Sequence, residues 1–261
     1  MSTIPPARPP KSLLRLAGKA IADYEMIRAG DRILLGLSGG KDSLSLLHLL
    51  LRLQTRAPIR FELGAVTVDP QSEVYDPSPL IPYMEQLEVP YYYQRKPILK
   101  IATEHMDNAS YCAFCSRMKR GVMYGVARAQ GYNVLALGQH LDDLAESFML
   151  AAFHGGRLKT MKAHYRVDAG DLRVIRPLVY ARERQTAAFA QEWRLPVIPE
   201  NCPACFGMPM QRMHMKSLLA TQEQANPRLF KSLLSTLKPL MAIGLENTKD
   251  APLRARLADA G

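Results

Sequence analysis

Apolar side chains recur at helical spacing over residues 11–28, where Leu13, Leu14, Leu16, Ala17, Ile21 and Tyr24 share one face, and this predicts an amphipathic helix. Gly30-Asp31 ends it and leads into Arg32-Ile33-Leu34-Leu35, a short apolar run that reads as a first strand. A second helical pattern covers 44–53. A strand is expected at 61–68, closed by Asp69-Pro70, and residues 70–79, with three prolines, read as a loop. The pattern continues with a short helix at 80–87, a strand at 90–94, helical residues at 97–105 and a helix at 116–130. A strand at 132–137, a helix at 142–153, a strand at 172–175, a helix at 181–193 and a short apolar piece at 196–198 follow.

Strands alternating with helices predict an α/β fold, a Rossmann-like parallel sheet with helices on both faces. After residue 199 the pattern changes. A cysteine pair and a Met- and Leu-rich helical stretch over 208–240 predict a small C-terminal helical appendage, with the Met and Leu stripe serving packing. Beyond Glu246 the tail is polar.

The segment between the first strand and the helix after it adds chemistry. Leu35-Gly36-Leu37-Ser38-Gly39-Gly40-Lys41-Asp42-Ser43 is a Gly- and Ser-rich turn. Glycines let backbone N–H groups approach an anion, and the helix N-terminus adds partial positive charge. Ser38 and Ser43 can donate hydroxyls to phosphate oxygens, so Gly36 to Ser43 is a candidate nucleotide-binding loop. It is not a Walker A loop, because Leu35 stands where that motif needs Gly and Asp42 follows the Lys; no G-x-G-x-x-G is present either. The pattern Ser-Gly-Gly-x-Asp-Ser resembles the PP-loop of ATP pyrophosphatases. That resemblance implies cleavage of ATP between its α and β phosphates, adenylylation of a substrate oxygen and release of pyrophosphate. The expected division is a flexible lead-in and N-terminal helix (1–30), a PP-loop ATP-binding domain (31–200) and a Cys-containing helical appendage with its tail (201–261).

Composition narrows the partners. Hydrophobic residues make up 48% of the chain, ample for a packed core, yet no apolar run approaches membrane-spanning length, so no membrane partner is expected. The Pro-rich N-terminus lacks the apolar stretch of a secretory signal, and a cytoplasmic location is expected. Lys and Arg number 34 against 24 Asp and Glu, a net charge of +10 that suits a nucleic-acid partner or, equally, a basic solvated surface.

All four cysteines fall in C-x-x-C pairs, Cys112 with Cys115 and Cys202 with Cys205. Two intervening residues let both thiolates reach one centre, which leaves Zn²⁺, an Fe–S cluster or a redox dithiol open.

The first pair stands in Tyr111-Cys112-Ala113-Phe114-Cys115-Ser116-Arg117-Met118-Lys119-Arg120-Gly121. Downstream come Leu137-Gly138-Gln139-His140-Leu141-Asp142-Asp143-Leu144-Ala145-Glu146-Ser147, Gly155-Gly156-Arg157-Leu158-Lys159-Thr160-Met161 and Ile175-Arg176-Pro177-Leu178. With Gly18-Lys19-Ala20-Ile21-Ala22-Asp23 before the loop, these blocks resemble the tRNA 2-thiocytidine synthetase (TtcA) family, also called tRNA-cytidine(32) 2-sulfurtransferases, over about residues 11–215. Gln139 stands where the family usually has His. The resemblance implies a 4Fe–4S cluster held by Cys112, Cys115 and Cys202, with one iron open to a sulfur species. Cys205 is then a fourth ligand, a persulfide carrier or a buried bystander. Cysteine desulfurase as sulfur donor and a homodimer are further implications.

Asp142 and Asp143 open a helix after a strand, where they either cap the helix or hold Mg²⁺ beside ATP. Asp42 serves the loop backbone or the metal, Asp69 lines an adenosine pocket or forms the turn before Pro70, and Gly138 and His140 flank the nucleotide. His48, inside a helical pattern, reads as structural. Two basic segments, Arg117, Lys119 and Arg120, and Arg157, Lys159, Lys162, His164 and Arg166, suit RNA phosphates or solvent equally. The expected reaction is ATP-dependent tRNA thiolation. The alternatives are another PP-loop RNA-modifying enzyme, of the lysidine synthetase type, and a nucleotide-binding Zn or Fe–S sensor without turnover.

Overall fold

The structure is a computed structural model that describes residues 4–72, 75–98, 100–101, 111–199 and 210–242, with backbone alone at 111–113 and 210. Strand β1 (Arg32–Gly36) lies inside a six-stranded sheet, flanked by β2 (Glu62–Asp69) and β4 (Val134–Ala136). β3 (Tyr91–Arg95) extends the sheet beyond β2, and β6 (Arg173–Ile175) then β5 (His164–Arg166) extend it beyond β4. All pairings are parallel except β5 with β6. The strands read as continuous apolar runs because helices cover both faces. Ile33, Leu35, Ala65, Val134, Ala136 and Ile175 enter one core layer, and Leu34, Val66, Leu135 and Val174 enter the other.

The helices are α1 (Lys11–Asp23), α2 (Lys41–Gln54), α3 (Leu80–Gln86), α4 (Tyr111–Ala129), α5 (Leu141–Gly155), α6 (Glu183–Glu192), α7 (Met210–Ala225) and α8 (Leu229–Ala242). No helix among the described residues is long and apolar enough to cross a membrane. α1 stops five residues before the expected end, because Glu25 takes a left-handed φ of 46° and turns buried Met26 and Ile27 into the core. α4 starts before the first cysteine pair instead of after it, so Cys112 and Cys115 are helical. β5 carries no apolar alternation. Pairing with β6, His164 opposite Ile175, specifies it, and the periodicity of the sequence could not.

The 208–240 stretch divides into α7 and α8 at Asn226-Pro227, where the Asn226 side chain accepts the Arg228 N–H at 3.1 Å. Leu219, Phe230, Leu237 and Met241 from these helices join the main core. The 196–198 piece forms no strand. Instead Ile198 packs over the nucleotide loop and donates its N–H to Gly39 at 2.9 Å. Of the helical residues expected at 97–105, those beyond 101 lie outside the described residues.

Candidate active site

β2 and β4 leave β1 on opposite sides, so the sheet order switches at β1, and a crevice opens at the C-terminal strand ends there. It holds a cavity of about 610 Å³, lined by the loop residues Gly36, Leu37, Ser38, Asp42 and Ser43. The loop's carbonyls are committed to the protein. Leu37 O accepts from Thr67 Oγ1 at 2.6 Å, Ser38 O from Tyr75 Oη at 2.7 Å and Gly39 O from Ile198 N at 2.9 Å. Gly40 O accepts from Ser43 Oγ at 2.9 Å. With the carbonyls tied back, α2 starts at Gly40 with no side-chain cap, and its first-turn N–H groups are suited to an anion.

Two glycines are required by space. Gly39 has a φ of +79°, and a Cβ there would lie 2.6 Å from Ile198. A Cβ on Gly138 would lie 3.1 Å from the Ser43 nitrogen, against the amide side of the loop. Ser38 Oγ and Ser43 Oγ are 3.2 Å apart. Phosphate therefore fits the loop by amide, hydroxyl and dipole together.

Lys41 is not among the cavity-lining residues; its Nζ pairs with Glu183 at 2.9 Å and Asp42 at 3.1 Å. Asp42 does line the cavity. Burial opposes its ionisation, but His140, Thr186 and Lys41 prevail and hold its pKa at about 2. His140 is buried as the N-cap of α5, its Nδ1 accepting the Asp143 N–H at 3.3 Å while Asp143 accepts the His140 N–H at 3.0 Å. Its Nε2 lies 3.6 Å from Asp42. Burial disfavours the imidazolium, yet Asp42, Asp143 and Asp142 outweigh it and raise its pKa.

The adjacent aspartates diverge. Asp142 accepts the Glu183 N–H at 2.7 Å and pairs with Arg182 at 3.0 Å, which ties α5 to the start of α6. Asp143 lines the cavity and accepts from Arg212 Nη2 at 2.6 Å. Mg²⁺ on a nucleotide takes one or two carboxylates and phosphate oxygens. Asp143 and Asp42 fit that need, whereas no group of three or more His, Cys, Asp or Glu among the described residues would hold a metal unaided. Asp69 is not among the lining residues. Its carboxylate accepts the Gln71 N–H at 2.7 Å and the Tyr93 hydroxyl at 2.9 Å.

On α4, Cys112 and Cys115 are one turn apart, with Cys115 half-buried, and the next residue, Ser116, lines the cavity. This spacing suits two thiolates on one cluster. Cys202 and Cys205 lie outside the described residues.

Lys119, Arg120, Arg176 and Arg212 also line the cavity. Arg176 donates to Gln139 Oε1 at 2.9 Å and to Lys162 O at 2.6 Å. As a buried cation just past the C-terminal end of β6, it could have been found by the strand-end argument that singled out Asp142 and Asp143. Arg212 stands in a Met-rich stretch that looked like packing and carried no signal. Its Nε donates to Glu146 at 2.8 Å. Burial still keeps the Glu146 pKa above its ordinary value.

Fold and loop together define a nucleotide-binding α/β protein, and the PP-loop domain family matches residues 15–200. The tRNA-cytidine(32) 2-sulfurtransferase of Geobacter sulfurreducens is 40% identical over 248 residues, 93% of this chain and 96% of that protein. The enzyme of the same name from Pelobacter propionicus is 43% identical over 228 residues, 87% of this chain and 85% of that one. The chain belongs to the tRNA-cytidine(32) 2-sulfurtransferase family of PP-loop proteins. The U34-tRNA thiolase NcsA from Methanococcus maripaludis, solved with its [4Fe-4S] cluster, superposes with a TM-score of 0.72 at 21% identity, over 96% of this chain and 88% of that one, and so shares the fold.

Proposed function

We propose that this protein thiolates tRNA in an ATP-dependent reaction that converts cytidine 32 to 2-thiocytidine. The observation that carries the proposal is the loop whose carbonyls from Leu37 to Gly40 are bound within the protein, opening with an uncapped helix onto a cavity ringed by four cations. The cytidine C2 oxygen attacks the α-phosphorus of ATP, and pyrophosphate leaves. Sulfur at the oxidation level of sulfide then adds to C2, and AMP leaves with the former carbonyl oxygen.

Loop amides with Ser38 and Ser43 hold the phosphates, and Asp143 with Asp42 would hold Mg²⁺ against them. Lys119, Arg120 and Arg176 offset charge on the departing pyrophosphate. Asp142 supports this arrangement through Arg182 and Glu183. Cys112, Cys115 and Cys202 would hold the 4Fe–4S cluster, which would bind a sulfur species for transfer. A cysteine desulfurase supplies the sulfur as a persulfide, and a thiol reductant, itself oxidised to a disulfide, releases it at the sulfide level.

The test is turnover by anaerobically purified protein with ATP, a sulfide source and an unmodified tRNA transcript carrying cytidine 32. Equal release of AMP and pyrophosphate, with 2-thiocytidine in the nucleoside digest, is expected. ADP as product, or no thionucleoside, overturns the reaction. Bound zinc without iron overturns the cluster.

A further inference from the structure

Across residues 147–167 the chain has no Asp or Glu, but it has Arg157, Lys159, Lys162 and Arg166. None of these four makes an ion pair with the described residues. The structure separates them. Residues 153–159 are exposed throughout, with Phe153 at 59% and Leu158 at 76% exposure, whereas Lys162 is half-buried and His164 is buried.

This exposed stretch has a defined backbone. Gly156 caps α5 in the left-handed region, Arg157 N–H donates to Ala151 O at 3.0 Å, and Lys159 N–H donates to Arg157 O at 3.0 Å. The chain then turns inward. Thr160 is buried and donates to Leu144 O at 2.7 Å, and Met161 lines the nucleotide cavity. Lys159 is thus two residues, at most about 7 Å of chain, from the cavity wall.

We propose that residues 153–159 form the rim on which tRNA docks, with Arg157 and Lys159 on backbone phosphates beside the target nucleotide and Phe153 and Leu158 under an unstacked base. The inference rests on the reading that the chain acts on tRNA. A base entering a cavity must leave its stack, and aromatic or apolar side chains beside cations are what hold it. An apolar pair alone would suit a protein partner as well. The acid-free run around it favours a polyanion.

The test measures binding of an unmodified cytidine-32 tRNA transcript to the full, anaerobically purified chain by fluorescence anisotropy, from about 50 to 200 mM salt. The double variant Arg157→Ala/Lys159→Ala should bind about tenfold more weakly and flatten the log–log salt slope by about 1.5. Phe153→Ala should lose about fivefold with the slope unchanged. ATP binding, read by calorimetry, should stay as in wild type and shows that the variants are folded. Arg56→Ala, beyond the far end of α2 and roughly 20 Å along it, is the control with no effect.

Wild-type affinity and slope in both rim variants would overturn the rim. So would unchanged tRNA binding with loss of a self-association seen in wild type by sedimentation, which assigns the patch to a second copy of the chain. A wild type that forms no 2-thiocytidine, yet loses tRNA affinity in these variants, overturns the reaction and supports the rim.

Discussion

Single atoms decide much of this site. At Gly39 a methyl group meets both a left-handed φ and Ile198 at 2.6 Å. Gly39→Ala should therefore cost about 2 kcal/mol or more and weaken ATP binding. Adding Ile198→Ala should recover the part due to the clash, measured by urea unfolding of the double variant. The adjacent aspartates should separate by readout. Asp142→Asn leaves Arg182 short of a carboxylate in a site where both side chains are largely buried, so its effect should be a stability loss of about 2 kcal/mol or more, seen as a lower Tm. Asp143→Asn should keep Tm close to wild type and lose about a hundredfold or more in pyrophosphate release. Equal effects on both readouts in both variants would refute the division of roles.

His48 makes the pH prediction. It is buried, accepts the Ala7 N–H on Nδ1 at 3.1 Å and faces Tyr83 Oη at 2.6 Å, and burial lowers its pKa to about 4. The unfolded chain therefore takes up this proton first as pH falls. Stability is full above about pH 6.5 and should fall by about 3 kcal/mol on the way to pH 4. Urea unfolding across that window should show a flatter profile for His48→Gln. His140 is raised instead, so its contribution is constant below about pH 6.5 and is lost only as pH rises through its folded value.

At the scale of elements, α7 holds the site together from outside the sheet. Arg212 bonds Asp143 and Glu146 on α5, Lys216 pairs with Glu183 at 2.6 Å at the start of α6, and Glu223 takes Arg182 at 2.6 Å. Arg182 also lies 3.2 Å above the Phe230 ring, which joins α8 to the same cluster. Half-exposed Arg212 adds little to global stability by its charge alone. Its loss, however, leaves buried Glu146 without this cation. Arg212→Met should speed amide hydrogen exchange in α7 and slow pyrophosphate release by about tenfold, with Arg212→Lys intermediate because it lacks the two-pronged geometry. Exchange and turnover equal to wild type would show that α7 is only packed against the site.

The whole molecule brings the nucleotide loop, the acidic helix α5 and the cysteine helix α4 to one cavity between β1 and β4. Cys115 stands one helical turn before cavity-lining Lys119, so a cluster held by Cys115 would lie beside the nucleotide cavity, and loss of the cluster should be separable from loss of the nucleotide. Cys115→Ser should lose bound iron and 2-thiocytidine formation while keeping ATP and tRNA affinity. Retained iron and thiolation would remove Cys115 from the ligand set. The net charge of +10 adds a general prediction that tRNA affinity falls steeply with salt.

By itself the sequence determined the alternation of strands and helices, the loop between β1 and α2, and the pairing of the cysteines. Each of these is local: an apolar run, a glycine turn or a two-residue spacing acts on neighbours along the chain. Edge strand β5 was not legible, since its partner supplies its structure. The start of α4 ahead of the cysteines was missed although Ser110, just before Tyr111, is a residue type that favours N-caps. Tertiary structure alone decided that Asp142 ties α5 to α6 while Asp143 faces the cavity, that Asp69 serves a turn, and that Arg176 and Arg212 line the site. The physical reason is that a charge takes its role from the groups facing it. Gln139 facing Arg176, Glu183 facing Asp142 and Arg212 facing Asp143 lie from 37 to 69 positions away along the chain, whereas the turn at Asp69 is local.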